Sequence, residues 1–172
     1  MENFSNRSID IDSLPNFEEV DYQTISSKYL VKSNIQTTIF LVIVLVGWTT
    51  FFYYQASITN LTMAMVAIFL YFSFRYWNNY KVQKTYGYAL REKDILFRRG
   101  FFVNAVTVVP FNRIQHVSVS RDAIDKLLSI SSVQVFTAGG SGSDINIPGL
   151  PPDLAVKLKE GLANKLTTNG GD

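Results

Sequence analysis

Residues 33–74 carry no charged side chain, and this gap is the strongest pattern in the chain. It holds two apolar runs, residues 35–54 and 58–77, parted by a polar stretch around Gln55, Ser57, Thr59 and Asn60. A helix needs about 20 apolar residues to cross a hydrocarbon core of roughly 30 Å, so each run is long enough to span. A link this short joins antiparallel neighbours. The expected element is a transmembrane hairpin over residues 25–80, close-packed where Thr37, Thr38, Gly47, Thr49 and Thr50 allow it. Aromatic clusters at Phe51–Tyr54 and at Tyr71–Tyr80 mark its two ends, where amphipathic rings favour the headgroup level.

Beyond Trp77 the period changes to two, with Val, Ile, Phe, Tyr and Thr at alternate positions, as half-buried strands require. Tyr86, Tyr88 and Leu90 form a first strand and Arg91–Asp94 a tight turn. Ile95 and Phe97 form a second strand, which stops at Gly100. Val103, Ala105, Thr107 and Val109 share one face of a third, ended by Pro110. Gln115, Val117 and Val119 alternate in a fourth. Asp122–Leu128 reads as a short helix capped by its aspartates. Val133, Val135 and Thr137 give a fifth strand, residues 138–143 (AGGSGS) a glycine-rich turn, and Ile145 and Ile147 a sixth. Pro151 and Pro152 suit a first helical turn. Leu154, Leu158, Leu162 and Leu166, widened by Ala155 and Ala163, make the apolar stripe of a closing amphipathic helix. The pattern predicts an α+β chain: the hairpin, then an antiparallel barrel or sandwich over residues 81–166 plugged by one C-terminal helix. Residues 1–24 and 167–172 read as disordered tails. Ile11, Leu14, Phe17 and Val20 leave a short docking helix open in the first of these.

Charge adds the orientation. Charged residues are 17% of the chain, against about 25% in ordinary soluble domains, and they are unevenly placed. Residues 1–21 hold Glu2, Asp10, Asp12, Glu18, Glu19 and Asp21 against Arg7 alone. Residues 75–121 hold Arg75, Lys81, Lys84, Arg91, Lys93, Arg98, Arg99, Arg113 and Arg121 against Glu92 and Asp94. Lys28 and Lys32 precede the first span, and Arg75, Lys81 and Lys84 follow the uncharged part of the second, which ends at Phe74. The link between the spans has no cation. The positive-inside rule then places both termini in the cytoplasm of a multi-pass cell-membrane protein. Up to Phe74 neither span carries a charged side chain, which speaks against a transporter acting alone.

The chemistry available is narrow. The chain has no cysteine and one histidine, His116. A thiolate nucleophile, a disulfide framework and most His-based metal sites are thereby excluded. Ser118 shares the strand face of His116, but side chains on one strand splay in parallel and do not form a triad. The AGGSGS tract lacks the Lys-Ser/Thr of a phosphate-binding loop and leads into a strand. Nothing calls for a cofactor, a metal, a small-molecule substrate or a nucleic acid, and the chain reads as non-enzymatic. The basic block Lys81, Lys84, Arg91, Lys93, Arg98 and Arg99 is the candidate site. Each cation near an anionic leaflet contributes about 1 kcal/mol.

Strands followed by one capping helix resemble the pleckstrin-homology superfold. The segment Tyr86–Leu166 resembles the bacterial PH-like domain of YdbS-like membrane proteins. The residues that carry this are Tyr88–Leu90, Phe97–Phe101, Val109–Val117 (VPFNRIQHV, with Pro110, Arg113, Gln115 and His116), Thr137–Gly140 and Ile147–Leu150. With the hairpin, the resemblance covers roughly residues 25–166. It departs at Leu128–Ser129–Ile130, where a glycine is expected after the short helix. It implies a fold, a membrane address and, as partner, another PH-like-domain membrane protein or a second copy; it implies no settled biochemical activity. In eukaryotic PH domains the first hairpin holds lipid headgroups, so the resemblance also raises Arg91, Lys93, Arg98 and Arg99 as an anionic-lipid sensor. The favoured expectation is a membrane-anchored interaction module within a larger complex.

Overall fold

The computed structural model describes residues 20–55, 58–138 and 145–169, with the backbone alone for 52–55, 58–60 and 166–169. Most of the acidic tail (1–19), the centre of the link (56–57) and most of the AGGSGS turn (139–144) lie outside the described residues.

A two-residue strand, β1 (Gln23–Thr24), opens the described chain. Two long helices follow, α1 (Lys28–Gln55) and α2 (Ile58–Thr85). Four strands come next: β2 (Gly87–Leu90), β3 (Asp94–Arg99), β4 (Ala105–Pro110) and β5 (Ile114–Ser120), the last two joined by a 3-10 turn, Phe111–Arg113. The short helix α3 (Ala123–Leu128), strands β6 (Ser131–Thr137) and β7 (Ile145–Leu150), and helix α4 (Pro152–Asn169) complete it. The sheets run β1-β2-β3-β4 and β5-β6-β7, antiparallel throughout.

One core fills the space between the sheets. Ile95, Phe97 and Val109 from the first meet Val133, Val135, Ile145 and Ile147 from the second. Helix α4 closes it with Ala155, Leu158 and Leu162. The buried face of α4 is therefore narrower than the predicted stripe: Leu154 and Ala163 are exposed, because spacing i, i+3, i+7 keeps to one face where Leu154 lies a residue off it. The helix runs three residues past the expected end at 166.

Three further differences have local causes. Val103 is not in a strand: Gly100 takes φ +94°, the chain reverses there, and β4 starts only at Ala105. Gln115 does not share the inward face of Val117 and Val119. The β5–β6 register shifts between Ile114 and His116, so Gln115 is the extra residue of a bulge and points to solvent. Leu90 is exposed and Ala89 buried, so the first strand faces the core through Tyr88.

Residues 20–27 also belong to the domain and not to a tail. Gln23 and Thr24 pair with Tyr88 and Gly87, and Ile25 is 3% exposed within the core. The strand entering α1 thus lies beside the strand leaving α2. The helices pack antiparallel: Asn79 Nδ2 donates to Asn34 Oδ1 (3.2 Å) and Thr37 Oγ1 (3.0 Å), Thr38 and Tyr76 share a hydrogen bond (2.8 Å), and Phe40 meets Phe72. Among the described residues, Lys28–Phe51 is long and apolar enough to cross a membrane, and only 11% of its most apolar stretch is buried within the protein.

Candidate functional site

The six cations of the basic block do not form one site. Strand β2 leaves α2 at Gly87 and runs away from it for four residues, roughly 13 Å at 3.3 Å per residue. Arg91 and Lys93 stand in the turn at that far end. There Arg91 is already neutralised: its Nε and a terminal nitrogen donate to both Asp94 carboxylate oxygens, at 2.7 and 2.8 Å. This bidentate pair raises the Arg91 pKa above its ordinary value. Lys93 contributes its carbonyl to Phe111 N, a backbone task.

Strand β3 returns toward the helices, which brings Arg98 and Arg99 back to the near end. Arg98 lies over the Tyr22 ring, 4.5 Å from its centroid, with its Nε buried and without a hydrogen-bond partner. Arg99 is exposed at the strand end. Lys81 and Lys84 rest on aromatic faces: Lys81 on Trp77 (5.7 Å) and Phe101 (5.4 Å), Lys84 on Tyr80 (4.4 Å). Such cation–π contacts let a charge sit against apolar surface. The near end thus carries Lys81, Lys84, Arg98 and Arg99; Arg91 and Lys93 are elsewhere.

The VPFNRIQHV tract is the corner between the two sheets. Val109, Phe111 and Ile114 are buried, and Pro110 in extended conformation (φ −64°, ψ 142°) ends β4. Arg113 is exposed and gives its carbonyl to Ala138 N at 3.1 Å. His116 is exposed and stacks on its cross-strand neighbour Phe136, centroids 4.2 Å apart and rings 13° from parallel. Ser118 Oγ donates to Gln134, not to His116. A general base needs its substrate group within hydrogen-bond reach; His116 is held flat on a ring.

Two arrangements escaped the sequence reading. Lys32, read there as a membrane flank, is 8% exposed and bridges Asp122 and Asp125 of the α3 cap, at 2.7 Å to each. Asp122 and Asp125 also form the reciprocal capping box of α3. The hydrogen bond from Lys32 holds the Asp122 carboxyl below its usual range. Nothing in spacing could reveal a pair 93 positions apart. The second is the loop of residues 100–104, whose Phe101 and Phe102 pack on Phe74 and Trp77 of α2 at 5.6–6.0 Å. A signal for it was present in three consecutive bulky apolar residues after a glycine, where a turn is ordinarily polar.

Segment 23–29 ties these parts together. Ser26 N donates to Gly149 O at 3.0 Å, Tyr88 Oη donates to Gln23 at 2.8 Å, and Tyr29 stacks on Tyr86 at 5.9 Å. A polar cleft of about 500 Å³ opens beside it between the helices, lined by Tyr29, Ser33, Gln36, Arg75 and Asn79 among others.

The family described as Bacterial PH domain matches residues 34–166, helices included. The Bacillus subtilis (strain 168) protein named UPF0699 transmembrane protein YdbS is 30% identical over 80 residues, 46% of this chain and 48% of that one. The match therefore spans about half the length of that relative. No solved structure matches the chain.

Proposed function

The chain belongs to the bacterial PH domain family, and from that premise we propose that it is a membrane-anchored PH-like module that acts by binding other membrane components and not by catalysis. In this reading α1 and α2 are a transmembrane hairpin, both termini are cytoplasmic, and the module is a subunit of a larger assembly. Its partner is a second PH-like-domain membrane protein or another copy of itself.

One observation carries the proposal. The helix pair leaves the sheet with much of its apolar surface uncovered (Ile39, Phe40, Ile43, Val46, Met63 and Phe69 are all exposed), while its base is fixed to the domain by Lys32 and by β1. A soluble protein does not leave apolar surface of this extent to water. A base locked on both sides is what presents a domain in one orientation to a neighbour. Among the described residues β4 and β5 pair on one side only, and their outer edges are surfaces a partner strand or loop can use. Headgroup sensing by the first hairpin draws no support from the geometry, because Arg91 is paired with Asp94 and lies at the far end.

The test is native mass spectrometry of the full chain extracted from membranes in mild detergent, after an alkaline carbonate wash. The expected result is retention in the washed membranes and recovery with a stoichiometric partner or as an oligomer. Release by carbonate removes the anchoring; a bare monomer in every detergent removes the interaction role.

A further inference from the structure

Resting on that membrane reading, we infer that the β3–β4 loop, residues 100–104, is a second membrane-contact element: an apolar tip that enters the headgroup–acyl boundary of the leaflet beside α2.

The loop is built to project. Gly100 at φ +94° turns the chain so sharply that a Cβ there would collide with the Val103 carbonyl oxygen. The reversal presents Phe102, 65% exposed, and Val103, 78% exposed, at its tip. Adjacent bulky apolar residues in a turn are unfavourable in water, and no described part of the chain covers the tip.

Its depth is fixed by α2. Phe74, Trp77 and Lys81 fall at i, i+3 and i+7 on one helix face. Phe102 touches the rings of Phe74 and Trp77, at 6.0 Å each, and Phe101 meets Trp77 and Lys81. Phe74 and Trp77 are the last turn of the second apolar run, and Phe74 is about 5 Å nearer its centre at 1.5 Å per residue. A side chain lying on both rings is at the depth of the headgroup–acyl boundary, where interfacial elements bury their apolar faces by about 5–10 Å. Phe74 and Trp77 are themselves about half exposed and touch the loop's rings, so loop and helix end form one continuous apolar surface.

The charges fit an anionic leaflet and not a basic partner. Lys81 lies across Trp77 and Phe101, Lys84 across Tyr80, and Arg99 ends the strand that feeds the loop. Residues 22–91 and 95–121 contain no Asp or Glu. Cations just above an apolar tip match phosphate above acyl chain.

The chain has no cysteine, so single-cysteine variants report one position each. Phe102→Cys, Val103→Cys, Glu92→Cys in the far turn and Val42→Cys on α1 carry a polarity-sensitive fluorophore, in the full chain reconstituted one per nanodisc of phosphatidylglycerol and phosphatidylethanolamine. The expected result is that probes at 102 and 103 shift to the blue, are quenched by nitroxide on the upper acyl chain and resist aqueous iodide. The probe at 92 is to behave oppositely. Val103 makes little contact with the protein, so Val103→Cys reads the loop even where Phe102→Cys perturbs its packing. Quenching of 102 and 103 by iodide as at 92, with 42 still quenched by nitroxide, overturns the inference and leaves the membrane reading intact. Protection from both quenchers also overturns it, since protein then covers the tip. Loss of nitroxide quenching at 42 overturns the membrane reading itself.

Discussion

Lys32 and Asp125, 93 positions apart, form a buried ion pair in which Nζ lies 2.7 Å from Oδ1. The pair joins the first turns of α1 to α3, and so joins the helix pair to the second sheet's connecting helix. Asp125 is 2% exposed, and its other oxygen accepts only the N–H of Asp122, at 3.3 Å. A carboxylate this enclosed depends on its cation. Lys32→Met is therefore expected to destabilise the domain by about 3–5 kcal/mol, the range for leaving one member of a buried pair alone. Thermal unfolding in detergent micelles measures it. Pairing Lys32→Met with Asp125→Asn should restore part of the loss, with a coupling of about 0.5–3 kcal/mol for groups in direct contact. Strict additivity of the two changes would show that the contact contributes nothing.

The same lysine makes stability depend on acid. Lys32 hydrogen-bonds Asp122 and depresses its carboxyl pKa in the folded state. A depressed pKa contributes stability that is complete above the unfolded value, about 3.9 for Asp. It is lost as pH falls through the folded value. Asp122→Asn keeps an N-cap oxygen for α3 and removes the titration. The wild-type melting temperature should fall more steeply than that of Asp122→Asn below about pH 4, and the two profiles should run parallel above it. Parallel profiles throughout would remove Asp122 from the acid limb. Asp122 is half exposed, so added salt should shrink the difference.

Helix α3 ends on Ser129 with φ 53° and ψ 51°, the left-handed region. An expected glycine is missing, but the conformation it serves is retained. A side chain in that region is strained by roughly 1–2 kcal/mol, and glycine's greater freedom when unfolded offsets part of the relief. Ser129→Gly should stabilise the domain by about 0.5–1 kcal/mol, measured by the same unfolding experiment. Destabilisation would mean that the serine side chain contributes more than its backbone strain costs.

Gly149 takes φ +71° beneath Tyr29, and a Cβ there would lie 2.7 Å from the Tyr29 Cβ. Two penalties follow from Gly149→Ala: backbone strain of about 1–2 kcal/mol and displacement of the segment that leads into α1. They can be separated. Adding Tyr29→Gly clears the collision and leaves the strain, so the Gly149→Ala penalty should be smaller in that background but should not vanish. An equal penalty in both backgrounds would assign the whole effect to φ.

Much of this architecture was legible where one residue type repeats along one element. The uncharged stretch predicts α1, and the period-2 runs predict β2–β7 because each strand has one face on the core. Failures came where a single residue changes the phase. Gly100 reverses the chain and removes Val103 from its strand, although Val103, Ala105, Thr107 and Val109 keep perfect alternation. The bulge at Gln115 turns that side chain outward within an otherwise regular strand. The basic block looked like one site because its members are close in sequence, yet antiparallel β2 and β3 put Arg91 and Arg99 at opposite ends of a sheet. Contacts such as Lys32 with Asp125 depend on the folded topology and leave no periodic trace.

Whether the segment before the helices completes the domain can be tested by removing it. A fragment of residues 79–172 keeps β2–β7 and α4 but loses β1, Ile25 and Lys32. Removing buried Ile25 costs about 1.5–3 kcal/mol, and Asp125 left without Lys32 costs a further 3–5 kcal/mol or so. Domains of this size are stable by only about 5–15 kcal/mol in total. The sum reaches the lower part of that range, so the fragment is expected to be loosely packed or largely unfolded, with weak near-ultraviolet circular dichroism and poorly dispersed amide NMR signals. Linking residues 20–32 to its N-terminus should restore dispersion, because that segment supplies the missing strand, the core isoleucine and the lysine together. A fragment that is well folded without them would show that the helix base is only attached to the PH-like domain and does not complete it.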